Sequence, residues 1–177
     1  MAAGLLLAAA LPAAADQNDP RLDGLFESLH LPGSAERARQ IEMQIWSIWM
    51  EADDPQWEAL MQRGLAAMHA RDLPAALAIY TDLVQRAPGF AEAWNKRATV
   101  YFLMGEIKAS LADVERTLAL EPRHFGALAG AGQINLQRGL LRGAYLAFHR
   151  ALEINPHLKG PQMFIEMLRD EVEGKPL

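Results

Sequence analysis

Pro88, Pro122 and Pro156 recur at an interval of 34 residues, and the same interval brings other residues into phase. Leu60, Trp94 and Leu128 align, as do Gly64, Ala98 and Gly132, then Ala76, Ser110 and Ala144, then Tyr80, Val114 and Phe148. A period of this length constrains the fold more than any single motif. Each copy is one helix–turn–helix that cannot bury its own apolar face, so the copies must stack. Stacking leaves a curved, open groove instead of an enclosed reaction pocket. The units run over 57–90, 91–124 and 125–158. Proline at each boundary cannot continue a helix and turns the chain into the next pair.

Composition agrees with a packed, non-nucleic-acid chain. Of 177 residues, 51% are apolar, ample for one buried core. The formal net charge is −5, and the basic residues form no stripe that could track phosphates. There is no cysteine, which removes disulfides, thiolate metal sites, cysteine nucleophiles and cysteine-borne lipid attachment within these residues.

Residues 1–15 read as a signal peptide. Ala2 to Leu11 is apolar, Pro12 breaks the run, and Ala13-Ala14-Ala15 supplies small residues for cleavage before Asp16. The run is too short to span a bilayer, which takes about 20 apolar residues, so no stable membrane anchor is expected from it. No Lys or Arg precedes it; either the amino terminus supplies the charge or the true start lies upstream. The alternative is an Ala-rich helix belonging to the fold. A cleaved signal implies a periplasmic protein, an uncleaved segment a cytoplasmic one.

Residues 16–56 predict two N-terminal capping helices, or a degenerate repeat. Asp19-Pro20 starts the first, with Leu22, Leu25, Phe26 and Leu29 on one face. Pro32-Gly33 ends it and Ser34 caps the second, which buries Ile41, Ile45, Trp46, Ile48 and Trp49. The two tryptophans fit that buried face, with partner anchoring as the alternative. Asp53-Asp54 is a helix cap before Pro55. Residues 159–177 predict a C-terminal capping helix from Pro161 to about Glu173, pairing Phe164, Leu168 and Val172 with a charged face. Within each repeat, small residues at the eighth and twentieth places let the paired helices approach, and aromatics such as Tyr80 and Phe148 fill the remaining space.

The repeats resemble the tetratricopeptide repeat (TPR) family over residues 57–158. Trp94, Ala98, Tyr101, Gly105 and Pro122 of repeat two stand where that family expects them. The fold implied is an all-α solenoid of three such repeats with capping helices at both ends. Arg71 stands where glycine is usual, which predicts a looser turn in repeat one; Ser110 and Thr117 replace alanines and Asn135 an aromatic. The stretches from Trp94 to Thr99 and from Arg123 to Ala127 are also similar to those of small exported alphaproteobacterial repeat proteins, which implies a cell-envelope setting.

The resemblance implies a groove lined by the first helix of each repeat: Met61, Leu65 and Met68; Asn95, Thr99 and Phe102; Ala129, Gln133 and Leu136. Asn95 and Gln133 would hydrogen-bond a partner backbone, while the apolar members either meet the partner or pack against neighbouring helices. A carboxylate clamp known in the family is absent: Met61, Leu65, Gly126 and Gly130 occupy its cationic and amide places, with Lys96 the one nearby cation. A chaperone-tail adaptor is therefore disfavoured. No metal or cofactor is expected, because the five histidines form no zinc pattern and no phosphate loop occurs. Nor do the titratable groups show a catalytic spacing. The chain thus reads as a non-catalytic scaffold that binds a peptide or helix of another protein. The alternative is a self-associating structural subunit of an envelope assembly, a homo-oligomer.

Overall fold

A computed structural model describes residues 16–52 and 54–174. The segment read as a signal peptide lies outside the described residues. After a short 3-10 turn at Asp16–Asn18 come nine α-helices among the described residues: α1 Arg21–Leu29, α2 Ala35–Met50, α3 Pro55–His69, α4 Leu73–Arg86, α5 Ala91–Leu103, α6 Ile107–Leu120, α7 Phe125–Gln137, α8 Leu141–Ile154 and α9 Lys159–Glu173. The described residues hold no strand. Helices α3/α4, α5/α6 and α7/α8 are the three repeats, and α9 packs on α8. The all-α solenoid is thus the architecture of the chain.

Local signals start these helices. The Asp54 side chain accepts from the Gln56 amide at 2.7 Å ahead of Pro55, and Ser34 accepts from Arg37 at 3.2 Å. Asp19 accepts from the Arg21 amide at 2.7 Å, so it caps α1 from one residue further out than expected. The repeat boundaries are built alike. The amides of Ala87, Glu121 and Asn155 close the last turns of α4, α6 and α8 at 2.8, 2.8 and 2.9 Å.

The turn inside repeat one is not looser than the others. Arg71 adopts φ 59°, in the left-handed region that Gly105 and Gly139 occupy at 82° and 71°. Its turn is closed by the same two bonds: Arg71 N–H to Met68 O at 3.0 Å and Asp72 N–H to Ala67 O at 2.9 Å. The Gly105 turn shows 3.0 and 2.9 Å in the same places. The stack holds the backbone in register, and arginine accepts the strained conformation.

The N-terminal helices do not sit on the open flank of repeat one. On α3, Gln56 and Arg63 share one face and are exposed. Instead α1 and α2 cross the boundaries between repeats. Gln17 donates to Gly89 O at 2.8 Å, Arg123 pairs with Asp23 at 2.6 Å, Asn155 donates to Glu42 at 3.2 Å, and the His157 ring meets Leu29 O at 2.9 Å. Beneath these ties Leu22, Phe26, Leu29, Ile45 and Trp49 pack on Phe125 of α7, with Ile154 and Leu158 alongside. The hairpin and the 3-10 turn before it therefore brace the stack along one edge, fastened to all three boundaries.

Candidate groove between the first helices

The nine residues predicted for the groove part into two groups. Met61 is fully buried among Tyr80, Phe90, Ala93 and Val100 and offers no surface to a ligand. Leu65 and Met68 are half-buried against the same cluster, and Leu136 leans into the core around Phe148. Ala129 is half-buried. The other four converge. Asn95, Thr99 and Phe102 of α5 and Gln133 of α7 line one recess of about 60 Å³. Ser110 and Val114 of α6 form its floor with Ala98 and Ile134, and Gly126 and Gly130 leave its α7 wall bare.

Why the recess lies in repeat two is visible in the helix contacts. In repeat one a side chain at Gly64 would stand 2.5 Å from the Tyr80 ring, and in repeat three Gly132 meets Phe148 in the same way. An aromatic ring on a glycine fills those pairs. Repeat two has Ala98 and Val114 in these places, and less volume is filled. Its two helices are joined by polar links instead. Ser110 donates to Ala98 O at 2.8 Å, and Arg97 grips Asp113 through two bonds of 2.7 and 2.8 Å.

A buried polar cluster closes one end of the groove. Glu92 on α5 accepts from Asn95 Nδ2 at 2.9 Å and pairs through its other oxygen with Lys96 at 2.8 Å. The expected role of Asn95, holding a partner backbone, therefore meets a competitor: it is 7% exposed and its amide nitrogen is committed to Glu92. His124 is fully buried, and its Nδ1 accepts the Ala127 amide at 3.1 Å, capping α7. That bond leaves the ring proton on Nε2, which donates to Glu92 at 2.8 Å. Burial would push the Glu92 carboxyl up; the Lys96 charge and the His124 bond outweigh it and hold the carboxyl below its ordinary value. Trp49 stacks on the His124 ring at 4.1 Å, and Trp46 sits edge-on at 5.5 Å. Lys96 lies 5.2 Å from the Trp46 ring centre. A side chain at Gly126 would stand 2.5 Å from Trp46, so that glycine admits α2 to the groove edge.

One polar contributor, Glu92, and two further exposed residues, Met163 and Met167, were not singled out from the sequence. Glu92 lies one turn before Asn95 on the same helix face, a spacing that pairs such residues. Met163 and Met167 of α9 continue the period by one more step from Ala129 and Gln133, and both are 58% exposed. Carrying the interval past Leu158 would have found them. Among the described residues no group of three or more His, Asp or Glu could hold a metal, and no helix is long and apolar enough to cross a membrane.

A helix-pair solenoid with an open groove defines an interaction module as a class, and similarity to known proteins supplies the family. The tetratricopeptide repeat family matches residues 50–91, 61–122 and 95–158. A TPR repeat-containing protein of Rhizobium etli is 34% identical over 154 residues, covering 87% of this chain and 76% of the relative. The chain belongs to the tetratricopeptide repeat family. Among solved structures, the first TPR of Spaghetti (RPAP3) bound to an HSP90 peptide superposes with a TM-score of 0.64 at 19% identity, covering 68% of this chain and 97% of that one. The MamA protein superposes with a TM-score of 0.61 at 18% identity and covers 90% of this chain and 79% of its own. At these identities the likeness concerns the fold.

Proposed function

We propose that this protein is a non-catalytic scaffold of the bacterial cell envelope that holds a segment of another protein in the groove between α5 and α7. The observation that carries this reading is the convergence of Thr99, Phe102 and Gln133, from two helices, on one recess beside Asn95. Thr99 and Gln133 are exposed, so a segment lying along the groove meets a hydroxyl, an amide and a half-buried ring. The Spaghetti (RPAP3) domain with its HSP90 peptide supports the use of such a fold for holding a peptide. The chain lacks the clamp cations, so its contacts are apolar and amide-based, with an affinity of about micromolar.

A photo-crosslinking residue at position 99 or 133 tests this in living cells. It is expected to trap a defined protein, and the same residue at the exposed Glu115 of α6 is expected not to. Equal trapping from position 115, or trapping lost from neither site when Phe102→Ala is added, rejects the groove. Envelope residence predicts a mature chain beginning at Asp16 in the exported fraction; an uncleaved chain confined to the cytoplasm rejects it. A second reading, self-association, is favoured by the exposed Leu146, Met163 and Met167 at the end of the stack. It requires a mass that rises with concentration and falls back with Met163→Lys and Met167→Lys.

A further inference from the structure

The turns inside the repeats form the edge of the stack opposite the hairpin, a helix length of about 20 Å from the boundaries that α1 and α2 brace. Leu103 and Met104 stand where α5 ends, and Leu140 and Leu141 where α8 begins. All four are exposed, by 38% to 56%. The turns do not demand them. Repeat one carries His69, Ala70 and Asp72 in the places of Leu103, Met104 and Leu140, and closes with the same backbone bonds. The same two turns are cationic in a chain of net charge −5. Lys108, Arg138 and Arg142 flank them, with Glu106 as the one carboxylate at either turn. None of the three cations makes an ion pair or a side-chain hydrogen bond among the described residues. Lys108 and Arg138 share an open recess of about 310 Å³ with Ile107 and Leu111; Glu115, two helical turns along α6, is the carboxylate in its wall.

We propose that this edge rests on an anionic lipid surface. Leu103, Met104, Leu140 and Leu141 enter the headgroup layer, and a lipid phosphate sits in the recess between Lys108 and Arg138. Two features select a lipid over a folded partner. The apolar side chains stand at chain reversals, the tips of the repeats, and a fluid interface takes such tips without matching their shape, while unpaired cations complement its charge. The turn backbone is also satisfied from within. Gly105 and Glu106 donate to Phe102 O and Tyr101 O at 3.0 and 2.9 Å, and Gly139 and Leu140 to Leu136 O and Asn135 O at 3.0 and 2.8 Å. These amides therefore lose nothing on leaving water. The contact is peripheral and reversible, since four aliphatic tips bury far less than a spanning helix. It stands independently of the groove reading.

The first arm of the test sediments the full chain with vesicles. Phosphatidylcholine vesicles containing about 30% phosphatidylglycerol are expected to carry it down, less so as salt is raised. Pure phosphatidylcholine vesicles are expected to leave it in solution. Equal binding to both, or binding to neither, overturns the proposal. Lys108→Gln with Arg138→Gln, and separately Leu103→Gln with Leu140→Gln, are each expected to weaken binding at least tenfold at an unchanged melting temperature. Arg37→Gln with Arg150→Gln removes the same charge from exposed sites away from the turns and is expected to keep the binding. Equal loss in that control reduces the effect to net charge and overturns the edge. Binding that survives both edge variants belongs to the apolar run at residues 2–11 and overturns it as well.

The second arm needs no loss-of-binding variant. The chain has no cysteine, so one introduced thiol takes a single polarity-sensitive dye. With the same anionic vesicles, dye at Met104→Cys is expected to brighten several-fold and shift to the blue as it leaves water. Dye at Glu36→Cys, at the start of α2, is expected to stay unchanged. Brightening at both positions, or at position 36 alone, means that another face meets the lipid and overturns the proposal. A dye at position 104 that stays dark on vesicles that bind the chain overturns it too.

Discussion

Repeats one and three are held by bulk, and repeat two is held by polarity. Tyr80 lies on Gly64 and Phe148 on Gly132, each ring fully buried in the wedge between paired helices. The Tyr80 hydroxyl is buried and has no hydrogen-bond partner among the described residues, so the ring and not the hydroxyl is what the position uses. Repeat two puts Val114 on Ala98, and joins its helices with the Arg97–Asp113 pair and the Ser110 hydroxyl. Repeat one has Arg63 and Ile79 where that ion pair stands, and repeat three has Ala131 and Ala147. The difference teaches how a repeat protein makes a site. The middle unit, supported on both sides, can give up aromatic packing and open a recess without losing its place in the stack.

The comparison breaks most visibly through deletion of the wedge residues. Phe148→Ala is expected to cost about 4 kcal/mol, because a buried ring leaves a cavity that its neighbours cannot close. Val114→Ala is expected to cost about 1.5 kcal/mol, since it removes two methyl groups that already border open space. Urea denaturation followed by circular dichroism measures both. Equal losses would mean that the middle repeat depends on its wedge as much as the outer ones.

The second position of each repeat sharpens the contrast. It is an exposed Glu58 in repeat one, a buried Glu92 in repeat two and Gly126 in repeat three. The folded-state carboxyl of Glu92 lies below its ordinary value of 4.5. The sign follows: its stabilising contribution is complete above that value and is lost as pH falls through it towards the lower folded-state value. The parent is therefore expected to lose melting temperature steeply below about pH 4.5, whereas Glu92→Gln starts lower at pH 7 and declines less. The two curves should converge as pH falls through the lowered folded-state value of Glu92. Parallel curves would show that the cluster under Trp46 and Trp49 carries no acid sensitivity. Glu58→Gln, on the exposed counterpart, should leave the profile unchanged.

The repeats were legible because their signals are local and in phase. Proline closes each repeat, glycine takes the turn in repeats two and three, and a small residue faces a larger one sixteen places on, so most of each copy's signal is set against its own backbone. The destination of α1 and α2 was not legible. Leu22, Phe26 and Ile45 announce a buried face without saying what buries it, and the answer, Phe125 with Ile154 and Leu158, lies about a hundred residues away. Asn95 was legible only in part. It lines the recess, but the bond of its Nδ2 to the buried Glu92 shows only in the packing. The recess itself was half visible. Aligning Tyr80, Val114 and Phe148 shows one small residue among rings, but only the packing of α7 shows that the missing volume faces the groove.

The smallest expected effect concerns the turns, where repeat one is the exception. Arg71 holds φ 59° while Gly105 and Gly139 hold similar values, and all three turns close with the same backbone bonds. A left-handed L-residue costs about 1–2 kcal/mol, and glycine returns about 0.5–1 of that through its freer unfolded chain. Arg71→Gly is therefore expected to stabilise the protein by about 0.5 kcal/mol, and Gly105→Ala to destabilise it by about 1 kcal/mol. Paired thermal melts resolve the two signs. Stabilisation by Arg71→Gly with no change in hydrogen exchange at Asp72 would show that the turn is already fully formed and merely strained. A loss of stability would mean that the arginine side chain contributes more at the surface than its backbone costs.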